Sequence, residues 1–313
     1  VTPFDVVIIG AGPAGLTAAT YLGRFRRKVL ILDGGLSRAD WIPETHNTPG
    51  FPQGIGGPAL LARLRDQATL YGAEIRAARA ETLSPAEDGF VLTLEDGSAA
   101  INARYVLMAT GILDKMPDLV GVEEAIRSGL VRICPICDAF EAIDQHIAVL
   151  GDGDLGGREA LFMTTYSQRV TLLHLGAASK LTLRADLANA GVEILEIDLP
   201  QLTLGQNAVE LTSLSGAKRQ FDCLYLALGC EMQSRLAVRW GATHDQEGNL
   251  LVNAHQETSI DGLYAAGDVV RGLNQIAVAA AEAAIAATDI HRRLRQHDQR
   301  SWPNTSDAAQ GRP

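Results

Sequence analysis

Cysteine is scarce in this sequence: four residues, Cys134, Cys137, Cys223 and Cys230, in a chain of 313. So few exclude the stapled scaffold of a small secreted disulfide-rich domain. Basic charge is in deficit, with 27 Lys and Arg against 37 Asp and Glu for a formal net charge of -10. That balance excludes a general nucleic-acid binder, whose phosphate contacts need a basic face. No apolar run reaches the ~18 residues of a membrane span, and the sequence opens directly on a strand pattern without a visible signal peptide. A soluble cytoplasmic protein is the expectation. What is plentiful is ordinary globular material, 47% hydrophobic and 20% charged residues, which excludes a largely disordered chain. At roughly 150 residues per domain the length allows two domains. A chain of this size buries about three-quarters of its unfolded surface, so it needs no staple to fold. The 31 glycines fall in a few turn-like clusters rather than a periodic repeat.

Val6-Val7-Ile8-Ile9 is a short apolar run ending in Gly10-Ala11-Gly12-Pro13-Ala14-Gly15. An Ala- and Leu-rich helical stretch follows, and then a second strand, Val29 to Leu32, which ends at Asp33. Apolar runs alternating with a helix describe a βαβ unit of a parallel sheet buried on both faces. The same sentence is written again from Ile147-Ala148-Val149-Leu150 through Gly151-Asp152-Gly153-Asp154-Leu155-Gly156 to Val170-Thr171-Leu172-Leu173. Two such units predict an α/β fold of two doubly wound, dinucleotide-binding-type domains. Phe90 to Leu94 with Glu95-Asp96-Gly97 reads as a hairpin, and so as a small antiparallel β insertion in the first domain. In the first loop, glycines let the backbone approach a pyrophosphate at a helix N-terminus, where amide dipoles favour anions. Asp33 stands where a ribose hydroxyl would be accepted. An ordinary tight βα turn is the plainer alternative. Tyr105 to Gly111 and Gly262 to Asp268 are two more strands ending at glycine turns, the latter before an alanine-rich helix from about Ile276 to Arg295. The polar stretch from about Gln296 onward is expected to lack secondary structure.

Cys134-Pro135-Ile136-Cys137-Asp138 carries the chemistry. Two Cys separated by two residues close a redox-active disulfide, and such a turn can lower one thiol's pKa. Half a zinc site and two buried thiols are the alternatives. Zinc needs two more ligands, and Cys223 and Cys230 lie in an apolar strand-like stretch at poor zinc spacing. No metal site is expected, and those two Cys read as core. Asp138 fits a proton shuttle to the attacking thiolate, and equally a helix cap.

Taken in order, Gly10 to Gly15, Asn47-Thr48-Pro49-Gly50, Ala109-Thr110-Gly111, the Cys-x-x-Cys-Asp run, the second glycine loop and Gly267-Asp268 resemble the low-molecular-weight thioredoxin reductases. The resemblance covers nearly the whole chain. It implies a discontinuous FAD domain from residues 1–112 and 242–313, with an inserted pyridine-nucleotide-type domain at 113–241 carrying the disulfide. It implies a homodimer too. By resemblance, FAD is held by Gly10, Gly12, Pro13, Ala14, Gly15, Asp33, Asn47 and the Ala109-Thr110-Gly111 turn. Gly267 and Asp268 would reach the ribitol, and Asn274-Gln275-Ile276-Ala277 the pyrimidine edge at a helix N-terminus. Cys137 would face the flavin, and Cys134 would attack the disulfide of a thioredoxin-like or other dithiol/disulfide protein, or of a small thiol.

The departures matter as much. NADPH-dependent members end the second domain's second strand in a histidine and two arginines, with a third arginine shortly after. Here the positions read His174-Leu175-Gly176-Ala177-Ala178-Ser179-Lys180, and Asp152 adds negative charge to the loop. No acid ends Val170 to Leu173 to favour NAD. Lost phosphate contacts of roughly 1.5–3 kcal/mol each would weaken NADPH by several orders of magnitude. The sequence is therefore expected to exchange electrons between FAD and the Cys134–Cys137 pair without NADPH. Two subgroups of the family lack the nicotinamide site. One is ferredoxin-dependent, and the other, a diflavin-linked type with a second FAD, is the preferred match. An NADPH-dependent reductase remains the conservative rival, requiring Lys180 or Arg184 to replace the arginines. A redox sensor that binds FAD and signals is the rival outside catalysis. Two peripheral features stay open. Arg24-Phe25-Arg26-Arg27-Lys28 is either a helix end complementing the dipole or a ferredoxin-docking patch. Trp302, in the polar tail beside Pro303, is either solvated or stacks on a flavin ring.

Overall fold

A computed structural model describes residues 3–35 and 37–301, the side chains of Lys180, Gln299, Arg300 and Ser301 excepted. The chain divides into two compact units, one from Val1–Ser37, Leu61–Gly111 and Met232–Pro313, the other from Arg38–Leu60 and Ile112–Glu231.

In the first unit, a seven-stranded sheet runs in the order Glu74–Ala77, Val29–Asp33, Phe4–Ile9, Ile101–Met108, Gly89–Leu94, Ala80–Ala86, with Leu263–Ala265 also on Ile101–Met108. The strands from Glu74 to Ile101 are parallel, and the inner pair, Val6–Ile9 and Val29–Leu32, reads as continuous apolar runs because both faces are covered. Gly89–Leu94 alternates instead, with Phe90, Leu92 and Leu94 inward, as an antiparallel strand with one wet face does. The expected hairpin is present, but it is no separate sheet. Gly89–Leu94 pairs with the start of Ile101–Met108, at Phe90↔Ala103 and Leu92↔Ile101, and so extends the main sheet. The other end of that long strand carries Leu263–Ala265, from Leu263↔Val106 to Ala265↔Met108.

Helix Pro13–Arg24 starts on Pro13 at its first turn, where a missing N–H costs nothing, and buries Leu16, Ala18, Ala19 and Leu22. It packs on the long helix Ile276–Ser301. That helix buries Ala279, Ala283, Ala286, Ala287, Ile290 and Leu294 at helical spacing, so small side chains set a close approach. It also corrects the sequence reading, which ended it near Arg295. Asp298 accepts hydrogen bonds from Arg27 at 2.7 Å and Arg104 at 3.1 Å, and these tie down the last turns. Trp302 lies outside the described residues.

The second unit is a five-stranded parallel sheet in the order Glu193–Ile197, Val170–Leu175, Ile147–Gly151, Cys223–Ala227, Val131–Arg132. An antiparallel sheet of Leu202–Leu204, Val209–Thr212 and Lys218–Phe221 accompanies it. Apolar clusters cover both faces of the parallel sheet, one around Met163, Leu172 and Tyr225, the other around Ile126, Leu173 and Phe221. No helix among the described residues is long and apolar enough to cross a membrane.

Candidate functional site

Cys134 caps a four-residue helix, Pro135–Asp138, that follows strand Val131–Arg132. Pro135 fixes the first helical position, and the Cys137 N–H donates to the Cys134 carbonyl at 2.9 Å. The turn brings the two cysteines to a Cα separation of 5.3 Å, and their sulfurs are bonded to one another. Among the described residues no group of three or more His, Cys, Asp or Glu is arranged to hold a metal. Ile136 and Phe140 stand exposed beside the disulfide. Asn47 donates to the Ile136 carbonyl at 3.3 Å, which places it on the disulfide turn.

Asp138 is the acid next to the pair. Burial pushes its carboxyl up to about 6, although the Arg132 charge and a Tyr225 hydrogen bond pull the other way. The Tyr225 hydroxyl is 2.9 Å from Asp138 Oδ1, and Arg132 donates to the Asp138 carbonyl at 2.7 Å. Neither Tyr225 nor Arg132 stands out in the sequence. A tyrosine inside the apolar run Cys223–Ala227 reads as core, yet a buried hydroxyl needs a partner, and that was the available signal. Cys223 is buried core, and burial pushes its thiol up to about 12. Cys230 is only half-buried, less enclosed than its sequence context predicts.

In the first unit, the glycine loop meets the ends of two other strands. Gly10 has φ +113°, and a Cβ there would lie 2.2 Å from the Ala109 carbonyl oxygen. One on Gly15 would lie 2.0 Å from the Gly10 carbonyl oxygen, and one on Gly267 2.9 Å from Ala14 Cβ. These glycines are demanded by the chain's own packing, which brings Gly10, Ala14, Gly15, Ala109 and Gly267 together. Gly12 is different: a Cβ there would meet only Ser37 Oγ, at 3.5 Å. Its open cradle precedes a helix with no side-chain cap and no acid in its first turn. Backbone amides at an uncapped, unopposed N-terminus suit a pyrophosphate, so the residues fit FAD.

Around that loop, Thr110 donates to the Gln233 carbonyl at 2.6 Å, and the Gly267 N–H donates to Glu282 at 2.8 Å beside Asp268. Gln275 donates to the Asn274 carbonyl at 2.9 Å, and Ile276 and Ala277 open a helix with no acid in its first turn. Asp33 accepts from the Gly35 N–H at 2.9 Å and from Arg65 at 2.6 Å, so a ribose hydroxyl would share its carboxylate with Arg65. Arg24, Arg27 and Lys28 of the basic run make contacts within the chain. Arg24 donates to the Tyr71 hydroxyl at 2.8 Å, Arg27 reaches His291 and Asp298, and Lys28 lies over the Phe4 ring.

The second glycine loop differs in electrostatics. Gly151 and Gly156 pack against each other, and Gly153, at φ +53°, faces open space. The Gly153 N–H, however, donates to Nε2 of His174, which is 1% exposed, at 2.9 Å. Accepting there leaves the ring proton on Nδ1, directed at the Gly176 carbonyl 3.2 Å away. Asp152 caps helix Gly153–Met163, with Asp154 in its first turn, so two carboxylates stand where a pyrophosphate would approach. Asp154 accepts from the Thr182 N–H at 2.8 Å and hydroxyl at 2.6 Å. Arg184 donates to the Ala178 carbonyl at 3.0 Å and to Glu196 at 3.4 Å. Its charge is already matched.

The pyridine nucleotide-disulphide oxidoreductase family profile matches residues 4–283. The chain is 34% identical over 310 residues to a thioredoxin reductase of Mycolicibacterium smegmatis, covering 95% of this chain and 98% of that one. It is similar in structure to the thioredoxin reductase of Streptococcus pyogenes MGAS5005, with a TM-score of 0.85 and 26% identity over 94% of this chain and 98% of that one. The thioredoxin reductase of Giardia duodenalis gives a TM-score of 0.83 and 28% identity over 94% and 100%.

Proposed function

The chain belongs to the pyridine nucleotide-disulphide oxidoreductase family and is a flavin-dependent disulfide oxidoreductase, and from that premise we propose that Cys134 and Cys137 pass two electrons between FAD and a partner dithiol or disulfide. The observation that carries this reading is the bonded Cys134–Cys137 pair beside Asp138, whose carboxyl, raised to about 6, changes protonation close to neutral pH. In the direction that reduces a partner, the Asp138 carboxylate takes the proton of the Cys134 thiol. The thiolate attacks one sulfur of the partner disulfide, whose S–S bond breaks, and the leaving sulfur takes its proton from Asp138. Cys137 then releases its proton to solvent, and its thiolate attacks Cys134, re-forms the Cys134–Cys137 bond and expels the second partner sulfur as a thiolate, which solvent protonates. Two electrons have left the dithiol for the partner; run backward, the sequence oxidises a partner dithiol. Bound FAD supplies the two-electron exchange that resets the pair, held by the Gly10–Gly15 loop with Gly111, Gly267 and Asp268. The relatives' names point to a thioredoxin-like protein as that partner.

We propose further that NADPH is not the normal electron source. The Gly153 amide is taken by His174, Asp152 is 82% exposed at the loop, and Arg184 is matched by Glu196. The taken Gly153 amide and the Asp152 carboxylate oppose the pyrophosphate of a second FAD as well, so a second flavin at this loop is decided by the flavin count of the holoenzyme. Anaerobic titration of the holoenzyme tests both parts. Dithiothreitol should bleach the flavin absorbance while stoichiometric NADPH leaves it, and flavin per folded chain should approach two if the second site is filled. Rapid bleaching by NADPH would return the chain to the ordinary NADPH-dependent reductases.

A further inference from the structure

Two residues that the reaction sequence does not use are built against Asp138. Arg132 ends strand Val131–Arg132, Tyr225 lies in strand Cys223–Ala227, and the parallel register sets Tyr225 beside Arg132. The Tyr225 side chain is fully buried in the cluster of Ala139, Ala142 and Cys223. Its hydroxyl is therefore the one polar atom of a ring that otherwise packs as core, and it is spent on Asp138. It is 2.9 Å from Oδ1 and 3.1 Å from the backbone oxygen of that residue. Arg132 donates to the same backbone oxygen at 2.7 Å, to Tyr225 Oη at 3.4 Å, and through Nε to the Gly129 carbonyl at 3.1 Å. A four-residue helix fixes its last residue weakly by itself. Two sheet strands fix it well.

We infer that Tyr225 and Arg132 are positioning residues for thiol–disulfide exchange, the hydroxyl holding the Asp138 carboxylate and the guanidinium holding its backbone. The inference rests on Asp138 being the proton carrier proposed above. The groups facing Asp138 are Arg132, Tyr225, Glu141 and Cys223. Burial favours the neutral acid and Glu141 adds to that, while Arg132 and the Tyr225 hydroxyl favour the carboxylate. The Cys223 thiol, pushed up to about 12 by burial, stays neutral and adds no charge near neutral pH. Removing the Tyr225 hydroxyl takes away a donor that favours the carboxylate over the neutral acid, so protonation should persist to higher pH.

The test uses the FAD-loaded protein, reduced anaerobically with dithiothreitol and desalted. Its single-turnover reaction with dithiobis(nitrobenzoic acid) is followed from mildly acidic to mildly alkaline pH. Tyr225→Phe should keep the flavin content and move the midpoint of the rate profile upward by about one pH unit. Arg132→Met should move it the same way. Asp138→Asn should abolish the midpoint, and adding Tyr225→Phe to it should change nothing further. An unmoved midpoint in Tyr225→Phe, with Asp138→Asn still abolishing it, overturns the positioning role and leaves the proton carrier standing. An unchanged midpoint in Asp138→Asn overturns the proton carrier, and the positioning role with it.

Discussion

At the scale of single residues, two glycines of one loop are glycine for different reasons. A Cβ on Gly15 would sit 2.0 Å from the Gly10 carbonyl oxygen, so backbone must move. A Cβ on Gly12 would meet only Ser37 Oγ at 3.5 Å, so the fold tolerates it, and what it obstructs is the approach of a pyrophosphate. Gly15→Ala should therefore destabilise by about 1–3 kcal/mol, as overpacking does. Gly12→Ala should cost about 1 kcal/mol or less in stability and yet lose most of its FAD. Thermal melting and flavin absorbance per folded chain separate the two; a fully yellow Gly12→Ala protein would remove that loop from the cofactor site. Sequence reading reaches this far because the glycines and the cysteine pair are local patterns. It does not reach the Arg65 partner of Asp33 or the Tyr225 partner of Asp138, because those contacts join residues far apart in the chain, nor Arg132, which meets Asp138 through its backbone carbonyl rather than through a side-chain pattern.

Among the elements, buried strands are the most legible, since Val6–Ile9 and Ile147–Leu150 announce themselves as unbroken apolar runs. The end of the last helix is not legible, because its final turns carry few apolar residues and are held by charge. Burial alone would push the Asp298 carboxyl up, but hydrogen bonds from Arg27 and Arg104 outweigh it and hold the group below its ordinary range. A lowered folded value means that this tie is present above the ordinary carboxylate pKa and is lost as pH falls through the folded value. Asp298 is 46% exposed, so solvent discounts the pair and Asp298→Ala should cost only about 0.5 kcal/mol. The effect should be local, with faster amide exchange over the last turns of Ile276–Ser301 at neutral pH and little difference from wild type in acid. Equal exchange at neutral pH would show that something other than this ion pair ends the helix.

For the whole molecule, the two dinucleotide-type units are readable from repeated loops, but the membership of residues 38–60 is not. Sequence order leaves that segment with the first domain, whereas it groups with Ile112–Glu231. Arg38 forks onto Asp114 at 2.7 and 2.9 Å, and Gly57 packs so close to Ala39 that a Cβ would lie 1.7 Å from its carbonyl oxygen. Near that fork lies Glu159, whose Oε2 is buried without a hydrogen-bond partner. Burial pushes its carboxyl up to about 7; Arg38 pulls it down and Asp114 pushes it up. Asp138, raised to about 6, behaves alike. Both groups prefer the neutral acid in the folded state. Their contribution to stability is therefore complete below the ordinary carboxylate pKa and is lost as pH rises through about 6 for Asp138 and about 7 for Glu159. Glu159→Gln keeps the shape and cannot ionise. Relative to wild type it should gain on the order of 1 kcal/mol of unfolding free energy at mildly alkaline pH and nothing in acid. Thermal melts of both proteins across pH read this directly. Curves that run parallel would mean that Glu159 ionises as freely in the folded protein as in the unfolded chain.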